Sequence, residues 1–258
     1  VGPLRLYTFT ISHFSEKIRW TLTHEGVPFV EVPWVPALHV VSARAMGGGA
    51  TTVPIVESDG ERVQDSTAII EWLDARRPLD LLPHADRAAV MALEAKFDEV
   101  GTNVVRLAYD HAFPDGDSVV RLWTIDASRA QTIAIRVGLP IFRVAFSARL
   151  GMSPKHIERA RASLDAALTL IEDRIASGAR YLVGDRLSLA DVTAASLLAP
   201  IACPDEHPVY GSPKFRERFR PLTKRWEARP AIDWVRSTYR DHRGAWPRAS
   251  EIRAAVDR

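Results

Sequence analysis

"TTVPIVESDGERVQDSTAII" occupies residues 51–70, and its punctuation decides how the first third of the chain folds. "VPIVES" (53–58) and "ERVQD" (61–65) are short strand-like runs separated by Asp59-Gly60. An Asp-Gly pair between such runs predicts a two-residue hairpin, because both turn positions need positive φ and these residues reach it cheaply. "STAIIEWLDARRP" (66–78) then reads as a capped helix, with Ser66 as the N-cap and Pro78 just past its end.

Toward the N-terminus, "LRLYTF" (4–9) alternates as a strand does, and "PFVEVPWV" (28–35) reads as a second strand that Pro33 confines to a sheet edge. Between them, residues 14–25 place Ile18 and Leu22 on one helical face, and Gly26 supplies a stop. Two strands joined through a helix predict a right-handed βαβ unit. The expected order is strand, helix, strand, irregular stretch, strand, strand, helix. Within "FTISHFSEKIRW" (9–20) the passage from strand to helix runs through Ser12 and His13. A turn there needs only something small and polar, whereas a binding site needs a hydrogen-bond donor aimed at its ligand. The residues alone leave both readings open.

Beyond "LDLLPHA" (79–85) the character changes, and from 86 to about 240 the pattern is helical. Ile157, Ala160, Leu164, Leu168, Ile171 and Ile175 step by three and four as one buried stripe. Phe142, Phe146 and Leu150 share a face of a further helix, which is either core or the wall of a pocket. A domain boundary is therefore expected near residue 80.

Composition narrows the function. The chain has 258 residues, 47% of them hydrophobic and 26% charged, as globular proteins do. A net charge of +2 is too small to indicate a nucleic-acid binder. Residues 214–258 are locally basic, which reads as a solvated helix face. Cys203, the single cysteine, excludes an intrachain disulfide and any cysteine-based metal cluster. The eight histidines show no HxxxH or HExxH spacing. "VTAASLLAPIAC" (192–203) is too short to span a membrane, at well under the ~20 apolar residues required. No leader pattern is evident, so the expected location is cytoplasmic.

Three stretches together resemble the cytosolic glutathione transferases of the serine and cysteine type (theta, zeta, omega and beta classes). They are "LYTFTISHFSEKIR" (6–19), "TTVPIVESDGERVQDSTAII" (51–70) and "YLVGDRLSLADVTAASLL" (181–198). The resemblance covers roughly residues 4–243 and assigns no single class. It implies an α/β thioredoxin-like domain over 1–80, ordered βαβ-ββα, that binds glutathione, and an all-α domain over 86–258. It also implies a homodimer, glutathione as co-substrate, a small hydrophobic electrophile as second substrate, and no metal. Substitution, ether cleavage, dehalogenation and isomerisation share the same first step. The alternative is a scaffold or regulator that keeps the fold without catalysis.

The resemblance also assigns residues. Ser12 falls at the catalytic position, as donor to the glutathione sulfur. A free thiol has a pKa of about 8.5, and lowering it by two units requires ~2.7 kcal/mol of preference for the anion. A hydrogen bond to a charged group contributes about 1.5–3 kcal/mol, and a helix N-terminus about 0.3–2 kcal/mol. Ser12 at the head of a helix is therefore sufficient without a base. Pro54 corresponds to the cis-proline that turns the Val53 backbone toward a peptide ligand. Asp65 and Ser66 receive the amine and carboxylate of the γ-glutamyl end, and Phe14 and Thr52 complete the glutathione contacts. His39, Arg44 and Thr52 are candidates for the glycine carboxylate. Ser15 is a second-choice donor, while Tyr7 falls one residue early for the tyrosine of other classes and reads as strand packing. Ser188 and Asp191 form a structural capping box, with Leu187 stapled onto Val192. Two departures stand out: "GGG" (47–49) where relatives have an Asn-Pro stretch, and extra length around 105–155.

Overall fold

The computed structural model describes residues 3–46 and 51–257, so the glycine run at 47–49 lies outside the described residues. Strands β1 (Leu4–Thr8), β2 (Phe29–Pro33), β3 (Ile55–Ser58) and β4 (Glu61–Gln64) form one sheet in the order β2-β1-β3-β4. Strand β1 runs parallel to β2, and β3 is antiparallel to both β1 and β4. Pro33 thus sits on an edge strand, where its missing N–H costs no ladder bond. Asp59 and Gly60 form the predicted turn at φ 50° and 81°, leaving Ser58 opposite Glu61. Helix α1 (His13–His24) connects β1 to β2.

Two expectations shift. The stretch after β2 contains a helix, α2 (His39–Ala45). It lacks the usual start signal, because Leu38 makes no side-chain cap. Helix α3 (Ser66–Arg76) is capped by Asp65, not Ser66. The Asp65 carboxylate accepts from the N–H groups of Thr67 (2.9 Å) and Ala68 (3.2 Å), and Ser66 becomes the first helical residue. Asp ranks with Ser as a cap, and here it tolerates φ +87°, a region few side chains enter.

From α4 (Arg87–Ala112) onward only helices follow among the described residues: α5 (Gly116–Trp123), α6 (Arg129–Leu150), α7 (Pro154–Ala176), α8 (Leu189–Ala202), α9 (Pro213–Thr223), α10 (Pro230–His242) and α11 (Ala249–Val256). The stripe predicted from Ile157 to Ile175 lies on α7 and is buried as far as Ile171, with Ile175 at its end only partly buried. Every residue of α8 is buried, so its continuous apolar run is a central core helix and not a span. No helix among the described residues is long and apolar enough to cross a membrane. The Asp191 carboxylate accepts from the Ser188 N–H (2.9 Å), the Ser188 hydroxyl (2.7 Å) and the Leu182 N–H (2.8 Å). That satisfies donors at the head of α8 that burial cuts off from water.

Helix α1 lies between the sheet and α8, and its polar residues are met from both sides. Glu16 pairs with Arg243 at the end of α10. Lys17 pairs with Glu94 and with Asp98 of α4. Arg19 bonds Glu31 of β2 at 2.6 Å and the Phe9 carbonyl at 2.9 Å. Arg243 corrects the expectation of a solvated basic C-terminal face: its side chain is 2% exposed. Cys203 caps α8 in the left-handed region and is buried, which pushes its thiol up to about 12.

Candidate functional site

A groove of about 520 Å³ opens where β1 ends, walled on one side by the α1 loop and residues 51–53 and on the other by α4, α5 and α6. The loop from Phe9 to Ser12 is tied down residue by residue. The Phe9 carbonyl accepts from the Ser12 N–H (2.9 Å) and from Arg19. The Thr10 hydroxyl donates to Asp126, and the Ile11 carbonyl accepts from the Tyr210 hydroxyl. Helical segments far along the chain thus hold a short loop in one shape.

Ser12 is the N-cap of α1, and its Oγ accepts from the Ser15 N–H at 3.1 Å. Accepting that bond leaves the hydroxyl proton available to a ligand. Ser12, Phe14, Thr52 and Val53 all line the groove. Ser15 does not: it is fully buried. The Val53–Pro54 bond is cis, and among the described residues no backbone hydrogen bond engages the Val53 N–H or C=O. Pro54 is buried behind this wall, and its carbonyl accepts from the Asp65 N–H at 3.3 Å.

Asp65 and Ser66 form a separate corner outside the groove lining. Asp65 is exposed, while Ser66 is buried, with its hydroxyl 3.2 Å from Lys17 Nζ and 3.3 Å from Asp98 Oδ1. Of the three candidates for a carboxylate contact, His39 and Thr52 line the groove and Arg44 does not. His39 Nε2 lies 2.8 Å from the Thr51 carbonyl, and burial first, then the charge of Arg149, lowers its pKa. Tyr7 is strand packing: its hydroxyl donates to Glu57 at 2.9 Å and its ring lies against Trp34.

His13 is buried, and its Nε2 donates to the Gly101 carbonyl of α4 at 3.1 Å. Burial pushes its pKa down to about 4, so the ring is neutral at pH 7 and serves as a tether. Gly101 stands mid-helix because a Cβ there would come within 2.9 Å of Leu197 and 3.1 Å of Phe14. Its absence lets α1 close onto α4.

The opposite wall is aromatic. Tyr109, Trp123, Phe142 and Phe146 line it, with Tyr109 and Phe146 ring centres 4.6 Å apart. The Tyr109 hydroxyl accepts from the Trp123 indole N–H at 2.8 Å, and burial pushes its pKa up to about 12. Behind these rings an apolar cavity of about 60 Å³ extends the groove inward. Arg149, which the sequence did not single out, also lines the groove; its guanidinium reaches the Thr51 hydroxyl at 3.3 Å. No Asp or Glu is among the lining residues, so at neutral pH Arg149 makes the groove net positive. Its position at the last turn of an amphipathic helix was visible, but which wall that turn would meet was not. Among the described residues no group of three or more His, Cys, Asp and Glu side chains could hold a metal ion.

Two family models match in order along the chain: the glutathione S-transferase N-terminal domain over residues 6–81 and the C-terminal domain over 154–229. No curated protein sequence matches. Among solved structures, the fold resembles a glutathione S-transferase from Rhodospirillum rubrum F11 at 23% identity and TM-score 0.55, covering 96% of this chain and 99% of that one. It also resembles the one from Methylobacterium radiotolerans JCM 2831 in complex with glutathione sulfonate, at 22% identity, TM-score 0.53 and coverage of 95% and 96%. A beta-etherase from Sphingobium sp. strain SYK-6 aligns at 21% identity and TM-score 0.58, over 92% of this chain and 100% of that one. With both family models matched in order over more than half of its length, on a thioredoxin-like sheet followed by a helical bundle, the chain belongs to the glutathione S-transferase superfamily.

Proposed function

We propose that this chain is a glutathione transferase in which Ser12 holds the glutathione sulfur as thiolate. The observation that carries this reading is the Ser12 hydroxyl at the head of α1: it has accepted its backbone cap bond and faces a groove whose other edge is the Val53 backbone beside a cis-proline. The tripeptide backbone would add to the free Val53 N–H and C=O as a strand adds to an edge. The γ-glutamyl end would reach the corner of Asp65 and Ser66, where Asp65 offers a carboxylate to the amine. With the Thr67 and Ala68 N–H groups already held by Asp65, the Ser66 N–H and the positive end of the α3 dipole favour the carboxylate. Lys17 donates to the Ser66 hydroxyl at 3.2 Å, but Glu94 and Asp98 balance its charge, so the pull on the carboxylate comes from the end of α3.

In the reaction the thiol proton leaves to solvent, and the thiolate lone pair forms the new bond to the electrophilic carbon. A leaving group departs with its electron pair, or in an addition the electrons move onto the acceptor. Ser12 donates throughout and forms no covalent bond. The aromatic wall of Tyr109, Trp123, Phe142 and Phe146 favours a small apolar, ring-bearing electrophile. Complexes of relatives support the choice of ligand, one of them with glutathione sulfonate.

The test is ultraviolet titration of the bound thiol in the parent and in Ser12→Ala. The parent should show a bound thiol about two units below the free value of about 8.5, and the variant should lose most of that shift. An unchanged thiol removes Ser12 from the mechanism. Failure of the parent to bind immobilised glutathione removes the ligand and favours the non-catalytic scaffold. Arg149 takes the glycine carboxylate in this reading. Arg149→Ala should raise the KM for glutathione about tenfold, one charge-assisted hydrogen bond, while leaving the KM for the glycine ethyl ester unchanged. Equal KM changes for acid and ester would refute the assignment.

A further inference from the structure

The turn that presents Ser12 is held from behind by the segment that follows α10. Residues 9–12 form a β-turn, closed by the Ser12 N–H on the Phe9 carbonyl at 2.9 Å, with Thr10 and Ile11 at its corner. A four-residue turn has several backbone types, and each aims its last residue differently. The Thr10 hydroxyl donates to one oxygen of Asp126, in the connection between α5 and α6. The other Asp126 oxygen accepts from Arg248 Nη2 at 3.0 Å. The Asp126 side chain is 7% exposed, and a carboxylate so enclosed is costly to place unless its oxygens are met. Here the turn takes one oxygen and Arg248 takes the other. The same segment reaches the opposite end of the turn. The Trp246 ring lies 4.7 Å from the Arg19 guanidinium, which donates to the Phe9 carbonyl at 2.9 Å. Helix α11 anchors the segment through buried Ile252 and Val256, and Asp257 just past it accepts from the Lys214 N–H at 3.1 Å.

Resting on the reading of Ser12 as donor to the sulfur, we infer that Asp126 and Arg248 are positioning residues for the thiolate. Through Thr10 they fix the 9–12 turn in the shape that aims the Ser12 hydroxyl into the groove. Neither lines the groove, so neither touches the reacting atoms. They act by holding a donor still. A hydrogen bond weakens steeply as its angle departs from linear, so a donor free to swing stabilises the anion less. A half-exposed ion pair such as Arg248 with Asp126 contributes little net stability. What a carboxylate adds over an apolar contact is direction, because it accepts the Thr10 proton along defined lines. Asp126 and Arg248 both lie outside the segments matched by the family models, so the family match accounts for neither.

Ultraviolet titration of the bound thiol, with pH profiles of kcat and the KM for glutathione, tests this chain of contacts. Thr10→Val keeps the side chain's shape and removes its donor, and Asp126→Ala removes the acceptor. Each should raise the pKa of the bound thiol by about 0.7, so that kcat on the acid limb falls about fivefold, the worth of one hydrogen bond. The KM for glutathione should stay within about twofold, because the contacts at Val53, Asp65 and Ser66 are untouched. Arg248→Ala should move the thiol in the same direction, and Arg248→Lys should restore it by keeping a charge on Asp126. Arg253→Ala removes a different contact of α11, to the Asp205 carbonyl at 2.7 Å, and should leave the thiol as in the parent. In a Ser12→Ala background, Thr10→Val and Asp126→Ala should add nothing further. Thr10→Val alters no charge, so it carries the test if loss of Asp126 unfolds the chain. A thiol that Ser12→Ala moves but Thr10→Val does not overturns the positioning role and leaves the Ser12 reading intact. So does full additivity with Ser12→Ala, or an equal shift in Arg253→Ala, which would mean general loosening of α11. A thiol unmoved by Ser12→Ala itself removes the reading beneath.

Discussion

Helix α1 buries Glu16, Lys17 and Arg19, whereas helix α6 leaves Ile133, Val137, Ile141 and Val144 in solvent. Judged by side-chain type, each helix has residues on the unexpected side. The difference lies in what surrounds them. Helix α1 is enclosed by the sheet, α4, α8 and the end of α10, and each buried charge meets an opposite charge from another element. Burying a charge is costly unless it is paired and hydrogen-bonded, so α1 can be polar only because the helical bundle supplies partners. Helix α6 meets its own chain on one face alone. Enclosure, not composition, sets which side chains are inside.

The largest expected effect comes from breaking the enclosed side. Arg243→Ala would leave Glu16, 0% exposed, with Arg19 at 3.6 Å as its remaining counter-charge, and should cost about 3 kcal/mol in urea unfolding, the lower end for breaking a buried pair. Glu16→Met combined with Arg243→Leu should recover most of that loss, because replacing both partners removes the desolvation cost along with the attraction. If the double variant were as unstable as the single one, the pair would contribute more than mutual neutralisation.

Acid probes the same enclosure. His13 is neutral in the folded chain with a pKa of about 4, pushed down by burial, and buried His207 is lowered in the same direction. An unfolded histidine binds its proton near pH 6.5. As pH falls from 6.5 towards 4, the unfolded chain takes up a proton that the folded chain refuses. Stability then declines by about 1.4 kcal/mol per unit for His13, ~3 kcal/mol in all. Above pH 6.5 this histidine contributes no pH dependence. His13→Gln, which can still donate to Gly101, should flatten the slope of unfolding free energy between about pH 6.5 and 4 by about one proton. An unaltered slope would show that the ring titrates freely.

The smallest effect belongs to the open side. Val137→Glu and Ile141→Glu should each change the unfolding free energy by no more than about 0.5 kcal/mol, as surface substitutions do. A loss of several kcal/mol would mean that the stripe packs against its own chain.

Much of the architecture was legible from local signals. Asp59-Gly60 marks a hairpin wherever it stands between β-type runs, Pro33 marks an edge, and the three-four spacing from Ile157 marks a buried stripe. Such signals act over a few residues, where backbone chemistry leaves few choices. The misreadings fell where two local solutions are nearly equal. Asp65 and Ser66 are both good caps, and the fold chose Asp65, freeing the Ser66 hydroxyl to sit between Lys17 and Asp98. Helix α2 has no capping side chain to announce it.

For the site, the sequence alone determined its floor: the hydroxyl at the head of α1 and the Val-Pro pair before the hairpin, both set by short-range turn and cap geometry. Only the tertiary structure decided the rest. It brought Tyr109, Trp123, Phe146 and Arg149 to the same groove, buried the charges of α1 among partners as far as 227 residues away, and turned one apolar face of α6 outward. The physical reason is that facing depends on how whole helices pack against one another. The period of a single helix shows that it has an apolar side, and only its neighbours settle where that side goes.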